Sequence, residues 1–476
     1  TAYFFLKVIL NKNNMLRIIL ISPFNHKDNV FPLSLGYLDA SLKNHDCRIY
    51  DFATEENPKN NLKNFLTHFK PHIVGITFWS NKGYVVEPLC EFIKQIDRKI
   101  KVILGGPHPS SCPEEILKRN KNVDHVFLGE SEIAIKEYIE KIERNESSFE
   151  TIKGIAFRKN SNIIKTELHF EENLDQFGPI NWEKVNISKY LERRQFLLNK
   201  YKAMPIITTR GCPYLCKFCN VRNINGTKIR HHSVGYILSE IDYLWYKYGV
   251  REFKIIDDNF TFYKEYVIDF CEAIIKKNYK RIAFSCPNGV RIDALDDEAL
   301  SLMKKAGWYS LYLGIESGSD KTLKKMNKKL SLQVIEKQVG LIKEYGFIIT
   351  GFFIIGYPHE TRADIIKTIK FAKRLDIDLA NFHTFVSFPG TPIYKELVER
   401  GEIKKNDFSK QPFLQPVYAP RGMSIRELRH LFVRALFSFY LRPRTIKTIF
   451  LLFIRRILSI KRIFFYMKNI LKKHPV

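Results

Sequence analysis

The chain has 476 residues, of which 45% are hydrophobic and 13% aromatic. This composition excludes a wholly disordered protein and is sufficient for two or three hydrophobic cores. Its 77 Lys and Arg outnumber 50 Asp and Glu, which gives a net charge of +27. The excess is concentrated near the carboxyl terminus, where residues 421–473 hold 14 Lys or Arg and one acidic residue. We therefore expect a basic tail and no protein-wide surface for nucleic acid.

Residues 16–145 alternate short apolar runs with helical patterns, which predicts a doubly wound, Rossmann-like parallel sheet. Residues 1–15 are expected to form an extension and residues 146–200 a linker. Such sheets bind ligands at the carboxyl ends of their strands, where glycines allow close approach to the backbone. The sequence contains neither a GxGxxG nor a P-loop pattern, so no motif supports a nucleotide as the ligand. The strands end in residues 22–24, 77–80, 105–109 and 129–132, where we expect a ligand to bind, with a tight strand-to-helix turn as the alternative.

Three cysteines, Cys212, Cys216 and Cys219, follow a predicted strand at 205–209 with the spacing CxxxCxxC. Thiolates on one short loop can bind one metal centre without long-range closure of the chain. A structural zinc site needs a fourth ligand, whereas three thiolates leave one iron of a [4Fe–4S] cluster open. The pattern favours the cluster, with zinc or unrelated buried cysteines as the alternatives. The other five cysteines are scattered, which is typical of a reducing compartment.

Six βα units are predicted over residues 201–400 and indicate a partial (β/α)6 barrel of the TIM type. The chemistry of parallel barrels belongs at the carboxyl ends of the strands, where this sequence repeatedly places polar residues. The polar stretches at these ends are residues 257–259, 288–291, 316–319, 356–358 and 387–390. We assign no general base, because Tyr214, Cys286, His359 and His383 also have plausible structural roles.

Residues 401–476 are predicted to form a basic helical region. Pro443 should end a helix that begins near residue 424, and a second helix is expected over 446–473. On a helical wheel most basic residues of the second helix face away from apolar side chains that include Ile449 and Phe453. This pattern predicts peripheral contact with an anionic membrane surface, and packing against the barrel is the alternative. The sequence has no uninterrupted run of 18 apolar residues, so no membrane-spanning helix is predicted.

The cysteine loop, with Phe218 before the last cysteine, is followed in order by DDNF, NGVR, GIES, GYPHET and FPGT. This series resembles the radical S-adenosylmethionine (SAM) enzymes that carry an N-terminal cobalamin-binding domain, over roughly residues 16–400. The resemblance implies that the three cysteines ligate a [4Fe–4S] cluster and that Phe218 packs near the adenine. Asp258, Arg291, Glu316 and Ser317 would contact the ribose and carboxylate of SAM.

The same resemblance implies that residues 16–145 bind cobalamin through Ser80, Gly105, Gly106, Gly129 and Glu130. The cobalamin motif DxHxxG is absent from this region, so no histidine is assigned as the lower axial ligand. Residues 201–400 would be the radical SAM barrel.

The function implied is a cobalamin-dependent C-methyltransferase, with a cyclase or oxidoreductase that transfers no methyl group as the alternative. A tRNA methylthiotransferase and an iron–sulfur electron carrier are disfavoured, since the former needs further N-terminal cysteine ligands and the latter needs no barrel. The expected partners are a small-molecule or lipid-like substrate and an external electron donor of the flavodoxin or ferredoxin type. The expected location is the cytoplasm, including the inner face of the membrane.

Overall fold

The computed structural model describes residues 15–25, 28, 30–193, 196–404, 416–459 and 463. The chain divides into two compact units. The first comprises the described residues up to Tyr190 together with Asn220–Gly226, and the second comprises the remainder. Among the described residues, none of the helices has the length and apolar composition needed to span a bilayer.

A seven-stranded sheet forms the centre of the first unit. Its strands are β1 (Arg17–Ser22), β2 (Asp46–Asp51), β3 (Ile73–Thr77), β4 (Lys101–Gly105), β5 (His125–Phe127), β6 (Ile155–Lys159) and β7 (Asn162–Lys165). The strand order is β2-β1-β3-β4-β5-β6-β7, with parallel neighbours from β2 through β5 and antiparallel pairing of β6 with β5 and β7. Its helices are Leu33–Ser41, Pro58–Phe69, Gly83–Ile96, Pro107–Ser111, Pro113–Arg119, Glu132–Glu143, Ile187–Leu191 at the boundary, and Val221–Ile224.

Side chains on the two faces of this sheet enter two separate cores. Ile19 and Ile21 of β1 pack with one set of helices, and Ile18 and Leu20 pack with the other. Successive strand residues point to opposite faces, so strands covered on both sides are apolar throughout. The doubly wound sheet is confirmed.

The predicted linker over 146–200 requires a correction, because most of it folds with the first unit. β6 pairs antiparallel with β5, with Phe157 opposite His125. Because β6 pairs with the three-residue β5, the hairpin covers an edge of the parallel sheet that would otherwise be exposed. Further along, Trp182 and Tyr190 are buried, and the Tyr190 hydroxyl donates to the Val30 carbonyl at 3.2 Å.

The second unit contains a six-stranded parallel sheet whose strands follow one another in chain order, and helices connect them. This is the arrangement of a partial (β/α)6 barrel and confirms that prediction. The strands are β8 (Ala203–Ile206), β11 (Glu252–Ile255), β12 (Ala283–Val290), β13 (Trp308–Glu316), β14 (Ile348–Ile355) and β15 (Leu379–Thr384), and the short pair β9 (Thr209–Arg210) and β10 (Arg230–His231) is separate. The helices are Val234–Tyr248, Lys264–Lys277, Asp297–Lys305, Asp320–Lys325, Leu332–Glu344, Arg362–Arg374, Pro392–Glu399, Ile425–Tyr440 and Pro443–Ile454.

The carboxyl-terminal helices differ from the prediction in length. The first ends at Tyr440 as expected, but Pro443 begins the next helix, which stops at Ile454 rather than continuing towards residue 473. Beyond it, Leu458 forms an antiparallel bridge with Leu198. Leu452 and Leu458 pack in one core with barrel residues, so tertiary packing interrupts the expected helix. Except for Ile463, residues 460–476 lie outside the described part of the chain.

Candidate functional site

The cysteine loop is held at its start by two aspartates that follow β11. Asp257 is buried and accepts hydrogen bonds from the backbone N–H groups of Thr208 at 2.7 Å and Thr209 at 2.8 Å, and from both hydroxyls. Burial raises the pKa of Asp257 to about 7. Asp258 accepts the N–H of Gly211 at 2.9 Å, directly before Cys212. The structure thus gives Asp258 a role in holding the loop, and the contact with SAM stays a prediction.

The three predicted cluster ligands lie on this loop, are each partly buried and form no disulfide. Burial raises the pKa of the Cys212 and Cys216 thiols. In the described residues, no group of three or more His, Cys, Asp or Glu is arranged to hold a single metal ion. A [4Fe–4S] cluster takes one thiolate at each of three irons, so its ligands surround the cube rather than converge on one ion. Three soft sulfur donors on one loop fit such a cluster.

Phe218 is part of the cysteine loop, and Arg291 packs against that loop. Phe218 lies against the core formed by Met326, Tyr357 and neighbouring residues. The Arg291 guanidinium carbon lies 3.7 Å from the centroid of the Tyr214 ring. Its nitrogens form an ion pair with Asp293 at 2.7 Å and donate to the carbonyls of residues 328 and 329, both at 2.8 Å. These contacts anchor Arg291 within the protein, and its predicted contact with SAM is not tested by them.

Glu316 and Ser317 follow one another at the end of β13 but have different surroundings. Glu316 has a φ of 67°, a left-handed conformation that is uncommon for residues other than glycine and is often found at functional sites. Its carboxylate accepts a hydrogen bond from Lys328 Nζ at 2.8 Å. Ser317 is fully buried and its hydroxyl bonds with Thr368 at 3.1 Å. The structure therefore brings Glu316 to the charged cluster and gives Ser317 a bond to the neighbouring helix.

Lys328 is the main residue of this site that sequence reasoning missed. It lies in a loop after the helix Asp320–Lys325, and its side chain is only 11% exposed. A Cβ at Gly314 would lie 2.8 Å from Lys328 Nζ and 2.9 Å from Glu316 Oε1. A side chain at this position would therefore force the ends of Lys328 and Glu316 to move. The one available signal was the glycine two residues before the acid in GIES.

The first unit brings together the candidate cobalamin contacts at the carboxyl edge of its sheet. Gly106 has a φ of 105°, and a Cβ there would lie 3.1 Å from the Thr77 hydroxyl and 3.3 Å from the Phe78 backbone. The N–H of Gly129, which has a φ of 66°, donates to the Ser110 hydroxyl at 2.9 Å. At Gly106 and Gly129 the positive φ angles and the protein atoms close to each Cβ position explain why glycine is found there. Their contact with cobalamin stays a prediction. Glu130 lines a neighbouring cavity of about 240 Å³.

Ser80 pairs at this edge with His108, to which the sequence alone assigned no role. Its hydroxyl lies 3.0 Å from Nδ1 of His108. The imidazole is buried, and its centroid lies 4.4 Å from that of Phe78. Burial lowers the pKa of His108 to about 4, so the ring is neutral at physiological pH.

Two family models match the chain. The model of the radical SAM superfamily matches residues 206–372, and that of the B12 binding domain matches residues 25–139. An uncharacterized methyltransferase of Pyrococcus horikoshii is 30% identical over 425 residues, which cover 88% of this chain and 90% of the relative. The chain belongs to the radical SAM superfamily. It is similar to members that also carry a B12 binding domain, and this confirms the predicted family and enzyme class.

Two further comparisons describe what this radical SAM protein is similar to. The anaerobic magnesium-protoporphyrin IX monomethyl ester cyclase of Rubrivivax gelatinosus is 26% identical, with 87% of this chain and 75% of the relative covered. The radical SAM methyltransferase TsrM of Kitasatospora setae has a TM-score of 0.74 at 16% identity, with 90% of this chain and 89% of that chain covered, which shows a common fold. A TsrM structure contains cobalamin and a [4Fe–4S] cluster. The predicted cofactors, which are the cluster, SAM and cobalamin, agree with both family matches.

Proposed function

We propose that this protein is a cobalamin-dependent radical SAM C-methyltransferase that acts on a small-molecule or lipid-like substrate. The proposal rests on a loop of three cysteines that is hydrogen-bonded to the carboxyl end of a parallel barrel. In the same chain, the first unit matches the model of a B12 binding domain. In this assignment residues 16–145 bind cobalamin and residues 201–400 form the catalytic barrel. The Pyrococcus horikoshii relative, named a methyltransferase, supports it.

The proposed roles follow the positions of the side chains. Cys212, Cys216 and Cys219 hold the cluster, and Phe218 packs near the adenine of SAM. When bound, the cluster supplies the electron that cleaves SAM and cobalamin supplies the methyl group. The proposed SAM contacts are Asp258, Arg291, Glu316 and Ser317, and the proposed cobalamin contacts are Ser80, Gly105, Gly106, Gly129 and Glu130.

The cyclase relative of Rubrivivax gelatinosus favours a second candidate, in which the same cofactors act without methyl transfer. Incubation of the reconstituted protein with labelled SAM and an accepted substrate separates the two. Methyl transfer gives S-adenosylhomocysteine and 5′-deoxyadenosine in equal amounts. Deoxyadenosine without S-adenosylhomocysteine contradicts the methyltransferase and supports the alternative. Cys216→Ala is the control that should form neither product.

We further propose that the protein works in the cytoplasm with an electron donor of the flavodoxin or ferredoxin type. The eight cysteines form no disulfide, which fits a reducing compartment. Reduction kinetics with purified donors of both types test this proposal, and failure of both to reduce a cluster that dithionite reduces would contradict it.

Peripheral contact with the inner membrane face is proposed for the helix Pro443–Ile454. Its Thr445 and Leu452 are buried, whereas four apolar residues that fall on one helical face are about half exposed. Large apolar side chains beside basic ones fit the surface of an anionic bilayer. The exposed apolar residues are Ile446, Phe450, Phe453 and Ile454, and their basic neighbours include Lys447 and Arg455.

Vesicle flotation tests this contact with the full-length protein. We expect it to float with vesicles that contain phosphatidylglycerol and to remain unbound with neutral phosphatidylcholine vesicles. Phe450→Ser combined with Phe453→Ser should abolish flotation. Tyr246→Ser is the matched control, since Tyr246 is exposed on a different helix. Equal flotation of the double variant and the unmodified protein would contradict the proposal.

A further inference from the structure

The loop 326–329 lies directly against the cysteine loop. The Met326 carbonyl accepts the N–H of Lys217 at 2.9 Å, and the Asn327 side chain donates to the Leu215 carbonyl at 2.8 Å. These two hydrogen bonds join the loop to the segment between the first and third cysteines. As a result Lys328 Nζ lies 6.0 Å from the centroid of the Phe218 ring.

Lys328 is a largely buried basic side chain held beside the cysteine loop, since its side chain is only 11% exposed. Its ammonium lies 2.8 Å from the Glu316 carboxylate, whose side chain is only 10% exposed. Among the other charged groups here, Arg291 is already paired with Asp293, and the Glu316 carboxylate pairs with Lys328.

We propose that the Lys328 ammonium raises the reduction potential of the [4Fe–4S] cluster, and that Glu316 limits this effect. The inference rests on the cluster assigned under the proposed function. A low-potential donor gives one electron to the cluster, no bond is formed or broken, and the cluster becomes one charge unit more negative. A positive charge held in a poorly hydrated site stabilises the more negative state.

The two members of the pair are expected to act in opposite directions. Lys328→Met removes the positive charge and leaves the Glu316 carboxylate, so reduction should require a more negative potential. Glu316→Gln leaves the ammonium without its carboxylate partner, so reduction should become easier. Lys328→Arg keeps the charge and should retain a potential close to that of the unmodified protein.

Potentiometric titration of the reconstituted, substrate-free protein, followed by EPR spectroscopy, measures these shifts. Lys325→Met is the matched control, because Lys325 is exposed on the preceding helix. Unchanged potentials in Lys328→Met and Glu316→Gln at full iron content would overturn the inference. Weaker SAM binding by Lys328→Met at an unchanged potential would overturn it too and would assign the ammonium to SAM.

If a variant assembles its cluster poorly, its iron content distinguishes an effect of charge from an effect of packing. Loss of iron from Lys328→Met but not from Lys328→Arg supports a need for positive charge beside the cluster. Loss from both variants shows that the packing of this side chain matters rather than its charge, and overturns the inference. If the reduction potentials shift as expected but the protein transfers no methyl group, only the proposed function is contradicted. Absence of a cluster from the unmodified protein contradicts both.

Discussion

Asp258 Oδ2 accepts the backbone N–H of Gly211 at 2.9 Å and so joins the end of β11 to the residue before Cys212. The two residues are 47 positions apart in the chain. The bond fixes where the cysteine loop leaves the barrel, and Gly211 itself has a φ of 95° that favours glycine. The position of the loop therefore depends on the barrel strand beside it.

Removal of this anchor should impair cluster assembly. In Asp258→Ala the Gly211 N–H loses a charge-assisted hydrogen bond, which is worth roughly 1.5–3 kcal/mol. We expect a clear reduction in iron bound after anaerobic reconstitution, measured as iron per chain. Asp269→Ala, at an exposed position on the following helix, should retain full iron content. Full iron content in Asp258→Ala would show that the loop keeps its position without this bond.

Two glycines should respond in opposite ways to the same substitution. Gly314→Ala places a methyl group against the ends of the Lys328 and Glu316 side chains, which must move, and we expect a cost of about 1 kcal/mol, at the low end for overpacking. Gly340→Ala lies in the helix Leu332–Glu344 with open space around the added methyl group, and should stabilise by about 0.5–1 kcal/mol. Anaerobic urea denaturation measures both free energies of unfolding. Equal stability of the two variants would contradict this prediction.

Glu360 should make the stability of the second unit depend on pH. It is buried and accepts the N–H groups of Gly356 at 2.9 Å and Tyr357 at 3.0 Å, and burial raises its pKa to about 8. Because the folded state favours the protonated acid, protonation of Glu360 stabilises the fold. This stabilisation is complete below the unfolded pKa near 4.5 and is lost as the pH rises towards 8.

Glu360→Gln removes the titration and keeps a carbonyl oxygen that can accept the same hydrogen bonds. Its free energy of unfolding should fall less between pH 5 and pH 8 than that of the unmodified protein. Glu399→Gln, at an exposed position, is the control and should preserve the original dependence. Identical pH profiles for all three proteins would refute the assigned cause.

The buried pair Lys254–Glu252 should be needed for folding of the barrel. The two charges are 2.5 Å apart with side chains no more than 1% exposed, and Lys254 also donates to the Leu198 carbonyl at 2.7 Å. Lys254→Met leaves a buried carboxylate without its countercharge, which costs about 3–5 kcal/mol. The double variant Lys254→Met/Glu252→Gln should recover part of this loss in denaturation experiments. A double variant less stable than the single one would contradict the ion-pair explanation.

The sequence alone determined the features that depend on local order. Apolar runs alternating with helical patterns revealed both parallel sheets, and the spacing of Cys212, Cys216 and Cys219 identified the cysteine loop. These features can be read within a few residues because the periodicity of strands and helices, and the reach of one loop, are local properties of the chain.

Only the tertiary structure decided which distant residues meet. The Asn327 side chain donates a hydrogen bond to the Leu215 carbonyl, 112 positions away in the chain, and that contact brings Lys328 to the cysteine loop. The pairing of β6 with β5 and of Leu458 with Leu198 likewise assigned the hairpin to the first sheet and interrupted the tail helix. Such contacts depend on the burial and hydrogen bonding available after folding, and neither periodicity nor residue spacing records them.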